Sequence, residues 1–425
     1  MSAVLRYPAL PALALLASPA VAIFVSSNLV NLGNLAFNMM FSRWMGPELY
    51  GDLALLLTIK LGLLGVIGAV QMAVSQEVAA SAGAGRSRLI GALAVLDRRG
   101  ILGLTAALPF VAGLLMAASA GPRLGVGGTH LLLLLLAALP VTLSFSILRG
   151  IAFGEMRTGR IVLSANIEMG VRLGAAILAW HAGWGLEGVV LAIALSIVAG
   201  WAALGGLLPS PRRVGAELRP VAGALALAAL PLALLQVAQV LALDGDLFVA
   251  GSALDDGQTG LLAALSLFQR IQFFACFMLA SVLLPSVVGA ARNGGAILAA
   301  VLPVGLLYAA VAATVLGLAS VAPITLVTLL VGPGFAAAAE GLPLAAFSAA
   351  AFTLGYLLAT LLAALGDRRG LYAAVGAAVL QLAFMTLALR DPATGWLDLL
   401  SIKAATQGGL ALILLLLTVR RLGRL

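Results

Sequence analysis

Apolar residues run along this chain in blocks of about twenty, with charge, proline and glycine gathered between them; a block of that length crosses the hydrocarbon of a bilayer as one helix. Such windows fall at 18–41, 51–73, 101–121, 127–148, 161–181, 186–207, 221–243, 257–284, 296–318, 343–364, 371–389 and 399–418. Ala, Leu, Val and Gly dominate them, without the polar–apolar alternation in segments of about ten that a membrane barrel needs. The pattern predicts an all-α polytopic membrane protein of about twelve spans. The stretch 321–332 is too short to cross, and reads as a continuation of the ninth span or as a helix lying at the interface. The segment Met1–Ala22, with Arg6, an apolar run and Ala17-Ser-Pro-Ala20, has signal-peptide character. The spans after it already account for a complete membrane domain, so retention is expected.

Composition excludes the alternatives. Of 425 residues 63% are hydrophobic and 9% charged, whereas a soluble domain carries about 25% charged residues. A water-soluble enzyme is excluded, as is a disordered chain. The one cysteine, Cys276, lies in an apolar run and forms no internal disulfide. The net charge of +8 has a topological reading before a nucleic-acid one, because cytoplasmic loops are rich in Lys and Arg. With the N-terminus inside, Arg6, Arg86, Arg88, Arg98, Arg99, Arg149, Arg157, Arg160, Arg212, Arg213, Arg219, Arg292, Arg368, Arg369, Arg420, Arg421 and Arg424 fall inside. Only Arg43, Arg123 and Arg390 fall outside. A bias of 17 to 3 through twelve alternations predicts that both termini are cytoplasmic, and accounts for the basic residues without a nucleic-acid partner.

Two glycine landmarks suggest an internal repeat. Tyr50-Gly51 follows the first span and Thr259-Gly260 the seventh, 209 residues later; Gly154-Glu155 follows the fourth and Gly366-Asp367 the tenth, 212 later. Both halves then start inside, as in transporters built from parallel repeats. The expected organisation is a six-helix bundle over 1–208, a basic cytoplasmic linker over 209–219 and a second bundle over 220–425, around a central cavity.

Polar groups inside spans are costly and face a bundle interior or a wet cavity. Asn31, Asn34 and Asn38 share one face of the first helix; cavity lining and interhelical hydrogen bonding both suit them. Gln236 and Gln239 carry the same two readings in helix seven, which the pattern ends near Asp244 and Asp246. Lys60, Arg172, Arg270 and Lys403 are the basic residues within spans. Glu168 and Arg172, four apart, suit an internal ion pair or a ligand site. Lys60 and Arg270 have no acidic residue three or four positions away, so water or an anionic ligand is expected beside them, and mid-depth cations fit a phosphate-bearing substrate. Lys403 stands nearer a helix end, where snorkelling accounts for it.

Catalytic chemistry is thin. No nucleotide-binding glycine loop is present, His130 and His181 stand alone at outer helix ends, and Asp255-Asp256-Gly257 reads as a solvated turn before a metal site. A transporter without cofactor or metal is expected rather than an enzyme.

The segment Phe41-Ser-Arg-Trp-Met-Gly-Pro-Glu-Leu-Tyr-Gly51 resembles the connection between the first two helices of the polysaccharide export proteins. These are flippases within the multidrug/oligosaccharidyl-lipid/polysaccharide exporter superfamily. Asp246-Leu-Phe-Val-Ala-Gly251, Thr259-Gly260, Leu267-Phe-Gln-Arg270, Gly332-Pro-Gly-Phe335 and Gly366-Asp367 are similar in the same order, so that the resemblance touches both halves. It implies a multidrug-exporter-like pair of six-helix bundles in the bacterial cytoplasmic membrane, alternating access, and export of a polyprenyl-diphosphate-linked oligosaccharide. The polar and charged residues read within the spans give the expected substrate-contacting set: Lys60, Arg172, Arg270, Asn31, Asn34, Asn38, Glu168, Gln236 and Gln239; the basic cavities expected of this family agree with the three cations. Membrane lipids and a polysaccharide polymerase or glycosyltransferases are the partners it implies. The chain departs from the lipid II flippases in lacking two further helices, and from many drug exporters in lacking an acidic cluster in helix one. A multidrug or small-solute/cation antiporter is the alternative, and a non-transporting structural subunit of a glycan-assembly complex the third reading.

Overall fold

A computed structural model of the chain describes residues 19–118, 129–205, 218–292 and 297–422. The signal-like segment up to residue 18, Arg6, Arg123, Arg212, Arg213, Arg424 and most of the 209–219 linker lie outside them. Among the described residues every regular element is helical: α1 (Pro19–Ala80), α2 (Gly83–Ala118), α3 (Thr129–Leu136), α4 (Leu139–Gly154), α5 (Thr158–His181), α6 (Gly185–Ala203), α7 (Leu218–Ala253), α8 (Asp256–Arg292), α9 (Ile297–Val321), α10 (Pro323–Leu330), a 3₁₀ stretch (Pro333–Gly341), α11 (Leu342–Ala364), α12 (Arg369–Ala388) and α13 (Trp396–Leu422).

Nine described stretches are long and apolar enough to cross a membrane. The first of them holds two passes, because α1 turns at Gly46 (φ 71°, ψ 178°), where a left-handed backbone suits a residue without Cβ. Pro47, which has no N–H to lose, opens the second arm. Asn38 and Tyr50 prove the turn sharp: in a straight helix they would stand about 18 Å apart along the axis, yet the Tyr50 hydroxyl donates to Asn38 Oδ1 at 3.0 Å. With α2 and α8, of 36 and 37 residues, the described helices accommodate twelve passes, in the order the apolar pattern predicts.

Three local readings change. The fourth pass is two helices, α3 and α4, joined by a turn at 137–138. The stretch 321–332 does not continue the ninth helix: Ala322 (φ −133°, ψ 51°) breaks it, and α10 is a separate short helix. Helix α7 runs on to Ala253, so Asp244 and Asp246 lie within it and not at its end.

The two halves keep one period. α5 and α12 begin 211 residues apart at Thr158 and Arg369, as do α6 and α13 at Gly185 and Trp396. The turns that precede α5 and α12 are the same: the Arg157 amide donates to Ala152 O and the Asp367 amide to Leu362 O, both at 2.8 Å. Left-handed residues sit at Met156 (φ 53°) and Gly366 (φ 76°). Gly366 therefore corresponds to Met156, 210 residues earlier, and not to Gly154.

By contacts the chain groups into two units. Of the described residues, one unit comprises those within 19–37, 67–113 and 133–229, the other those within 38–66, 114–132 and 230–422. The first has a core of Phe145, Leu148, Ile161, Ile197 and Leu204, from α4, α5, α6 and the turn after α6. In the second, Phe273, Phe352 and Ala378 join α8, α11 and α12 to Leu243 of α7, and Leu358, Leu362, Leu410 and Leu414 lock α11 to α13.

Candidate functional site

Among the described residues, each unit holds a largely buried cluster of ionisable groups. In the first, Glu168 of α5 receives two guanidinium groups: Arg172, one turn on, at 3.8 Å and Arg149 of α4 at 3.6 Å. Arg149 also lies over the Phe145 ring, 4.9 Å from its centre. Gly200 of α6 makes the room, since a Cβ there would stand 3.0 Å from the Glu168 Cβ and 2.9 Å from Phe145. All three charged side chains are largely buried. Two guanidiniums against one carboxylate leave one net positive charge, and the Nε of both arginines is buried without a hydrogen-bond partner among the described residues. A guanidinium offers a planar fork of five donors suited to phosphate oxygens, and here part of that fork is unused. The pairing of Glu168 with Arg172 is as the spacing suggests. Arg149 is the addition: α4 runs on to Gly154, which puts Arg149 inside a helix and not in a loop.

In the second unit, one turn of α7 gathers donors from three other helices. Arg270 of α8 pairs with Asp244 at 2.9 Å and donates to the Thr58 hydroxyl on the second arm of α1 at 3.0 Å. Arg270 thus has a carboxylate partner, supplied by the neighbouring helix, which spacing within its own helix could not reveal. Lys403 of α13 is 1% exposed and bonds Asp246 at 2.9 Å, so snorkelling does not account for it. It donates also to Gln269 Oε1 and Leu243 O. Gln407 donates to Gln381 Oε1 at 2.6 Å, and Gln381 to Ala242 O at 3.2 Å. Lys60 is buried two residues beyond Thr58.

The first-helix asparagines do not share one environment. Asn31 is exposed, Asn34 is half-buried, and Asn38 accepts from Tyr50. Gln236 and Gln239 are half-buried on α7. Asp255 caps α8, accepting from the Gln258 amide at 2.8 Å, and no group of three metal-ligating side chains occurs among the described residues.

The segments that carry the family resemblance meet in the second unit. Arg43 donates to the carbonyls of Leu329 and Leu330 at the C-terminus of α10, where a cation complements unsatisfied acceptors. The Tyr50 and Phe335 rings meet edge to face, 5.7 Å apart.

No protein-family model matches the chain, and no curated protein does. Solved structures do. The chain is 18% identical to a multidrug resistance MATE family transporter of the MOP superfamily in its inward-facing conformation, over 96% of this chain and 98% of that one, with a TM-score of 0.76. It is 13% identical to the lipid II flippase MurJ in an inward closed conformation, over 95% and 87%, with a TM-score of 0.73. A MOP superfamily transporter from Pyrococcus furiosus, whose binding pocket is described as of reverse polarity, matches at 16% identity over 95% and 94%, with a TM-score of 0.62. The chain therefore has the fold of this transporter superfamily.

Proposed function

Taking that fold as the premise, we propose that the chain is a flippase that moves a polyprenyl-diphosphate-linked oligosaccharide across the bacterial cytoplasmic membrane by alternating access, with both termini cytoplasmic. The observation that supports this substrate class is the Arg149–Glu168–Arg172 cluster, largely buried and net positive, with unpartnered donors on both arginines. A diphosphate is multiply anionic, and its passage through a low-dielectric layer needs compensating charge already in place. Arg149 and Arg172 take the diphosphate, and Glu168 holds them when no substrate is present. Lys60 and Arg270 form a second cationic step, Arg270 exchanging Asp244 for phosphate. Asn31, Asn34, Asn38, Gln236 and Gln239 contact sugars or close the gate. A polymerase or glycosyltransferases supply and consume the lipid-linked glycan.

Depletion of the protein should accumulate the lipid-linked intermediate in the inner leaflet and remove the surface glycan. Re-expression of Arg172→Gln at wild-type abundance should leave the accumulation in place. Altered dye resistance with normal surface glycan would mean an antiporter instead. Glycan loss that is fully corrected by the Arg172→Gln chain would mean a structural subunit.

A further inference from the structure

We propose that Lys403 is a tethered cation occupying what would otherwise be a site for a free monovalent cation. Its ammonium has three donors, and each meets an oxygen: Leu243 O at 2.5 Å, Asp246 Oδ2 at 2.9 Å and Gln269 Oε1 at 2.5 Å. One oxygen is a backbone carbonyl, one an amide and one a carboxylate, donor types that hold dehydrated hard cations in proteins. They come from two helices, α7 and α8, and the cation is delivered by a third, α13. A lysine stem ordinarily carries its charge to water; here the side chain is wholly withdrawn, at 1% exposure.

The charge of the cage selects its occupant. A single carboxylate, Asp246, faces a single ammonium, so a monovalent ion leaves the cage neutral while a divalent ion would leave a net positive charge at membrane depth. The carboxylate also has capacity that the lysine does not use, since Asp246 Oδ1 is buried without a partner among the described residues. An ammonium is close to a potassium ion in size, so removing it leaves a ready-made cavity of oxygens. The neighbouring pair differs: the Arg270 guanidinium is planar and forked, and its bonds to Asp244 and Thr58 define no comparable cage.

A free ion would fill such a site in proportion to its concentration, and binding to one conformation only would couple that conformation to the ion. A tethered ion fills it always. The second unit is thus made indifferent to sodium and potassium at Asp246. This holds whatever substrate is carried, so its failure and that of the flippase reading are separate events.

The test is the thermal unfolding midpoint of the purified full-length chain in sodium, potassium or choline chloride at constant ionic strength. Wild type should show one midpoint in all three. Lys403→Ala, and in parallel Lys403→Ser, should unfold several degrees lower in choline and recover saturably with sodium or potassium, by mass action on the folded state. Adding Asp246→Asn should abolish that recovery. Variants that stay unfolded, or keep one midpoint, in all three salts overturn the proposal. A saturable sodium or potassium shift in the wild-type protein overturns it too.

Discussion

Gly51 and Gly260 pack back to back: a Cβ on Gly51 would stand 3.0 Å from the amide nitrogen of Gly260. They occupy the same place in the two halves, each just after the turn that opens the second helix of its half. A Cβ on Gly260 would in turn run into the carbonyl of Pro47. Backbone meets backbone here, and no side chain can yield. Gly260→Leu should therefore cost more than the about 1–3 kcal/mol of ordinary overpacking, and Gly51→Ala less. Folded yield after detergent extraction, read by size exclusion, should rank wild type, Gly51→Ala and Gly260→Leu in that order. Equal yields would refute the contact.

The matching turns at Met156 and Gly366 predict opposite responses. Met156 holds a left-handed conformation that costs a Cβ-bearing residue about 1 kcal/mol, so Met156→Gly should raise the unfolding midpoint by up to a few degrees. Gly366→Ala should lower it by a similar amount. Since Met156 is exposed, little packing is lost to obscure the gain.

At Glu168, single and double substitutions separate folding from export. Glu168→Gln leaves two guanidiniums without their carboxylate and should lower abundance. Arg172→Gln leaves Arg149 and Glu168 as a neutral pair, so abundance should hold while export per folded molecule falls about tenfold or more, equivalent to about 1.4 kcal/mol. Glu168→Gln with Arg172→Gln still strands Arg149 without a carboxylate, so its abundance should stay as low as that of Glu168→Gln alone. Full export from Arg172→Gln would count against a diphosphate contact.

Arg270→Gln is expected to behave differently from Arg172→Gln. It strands Asp244, 3% exposed in its side chain, without a counter-charge, and removing one partner of a buried pair costs about 3–5 kcal/mol. Abundance should drop with export. Adding Asp244→Asn should bring abundance back while export stays low. Recovery of both would make the pair a brace and nothing more.

The twelve passes were legible because each needs its own apolar block, and the turn at Gly46 because Gly-Pro interrupts one. The break between α3 and α4 has no such signal: Ala137 and Ala138 are as apolar as their neighbours. The charged clusters were half legible. Glu168 and Arg172 lie one turn apart, and spacing reveals them. The partners of Arg270 and Lys403 lie 26 and 157 residues away on other helices, beyond any rule of helical periodicity. Arg149 reads as a loop charge because the apolar block stops at 148, whereas the helix runs on to Gly154. The burial of Lys403 is not legible from its position along its own helix, because burial is set by what packs against it.

The bond between Arg43 and Leu330 spans 287 residues of chain. A ribosome adds about 5–20 residues per second, so Arg43 emerges roughly fifteen seconds to a minute before its acceptor exists. Thr58 waits similarly for Arg270, 212 residues on. The second arm of α1 thus precedes the acceptors and donors that complete these contacts, and a helper is expected to hold it for that interval. A membrane insertase or chaperone that shields polar helix faces is the natural candidate. Nascent chains stalled short of residue 330 should crosslink to it from position 43, and chains stalled well beyond should not.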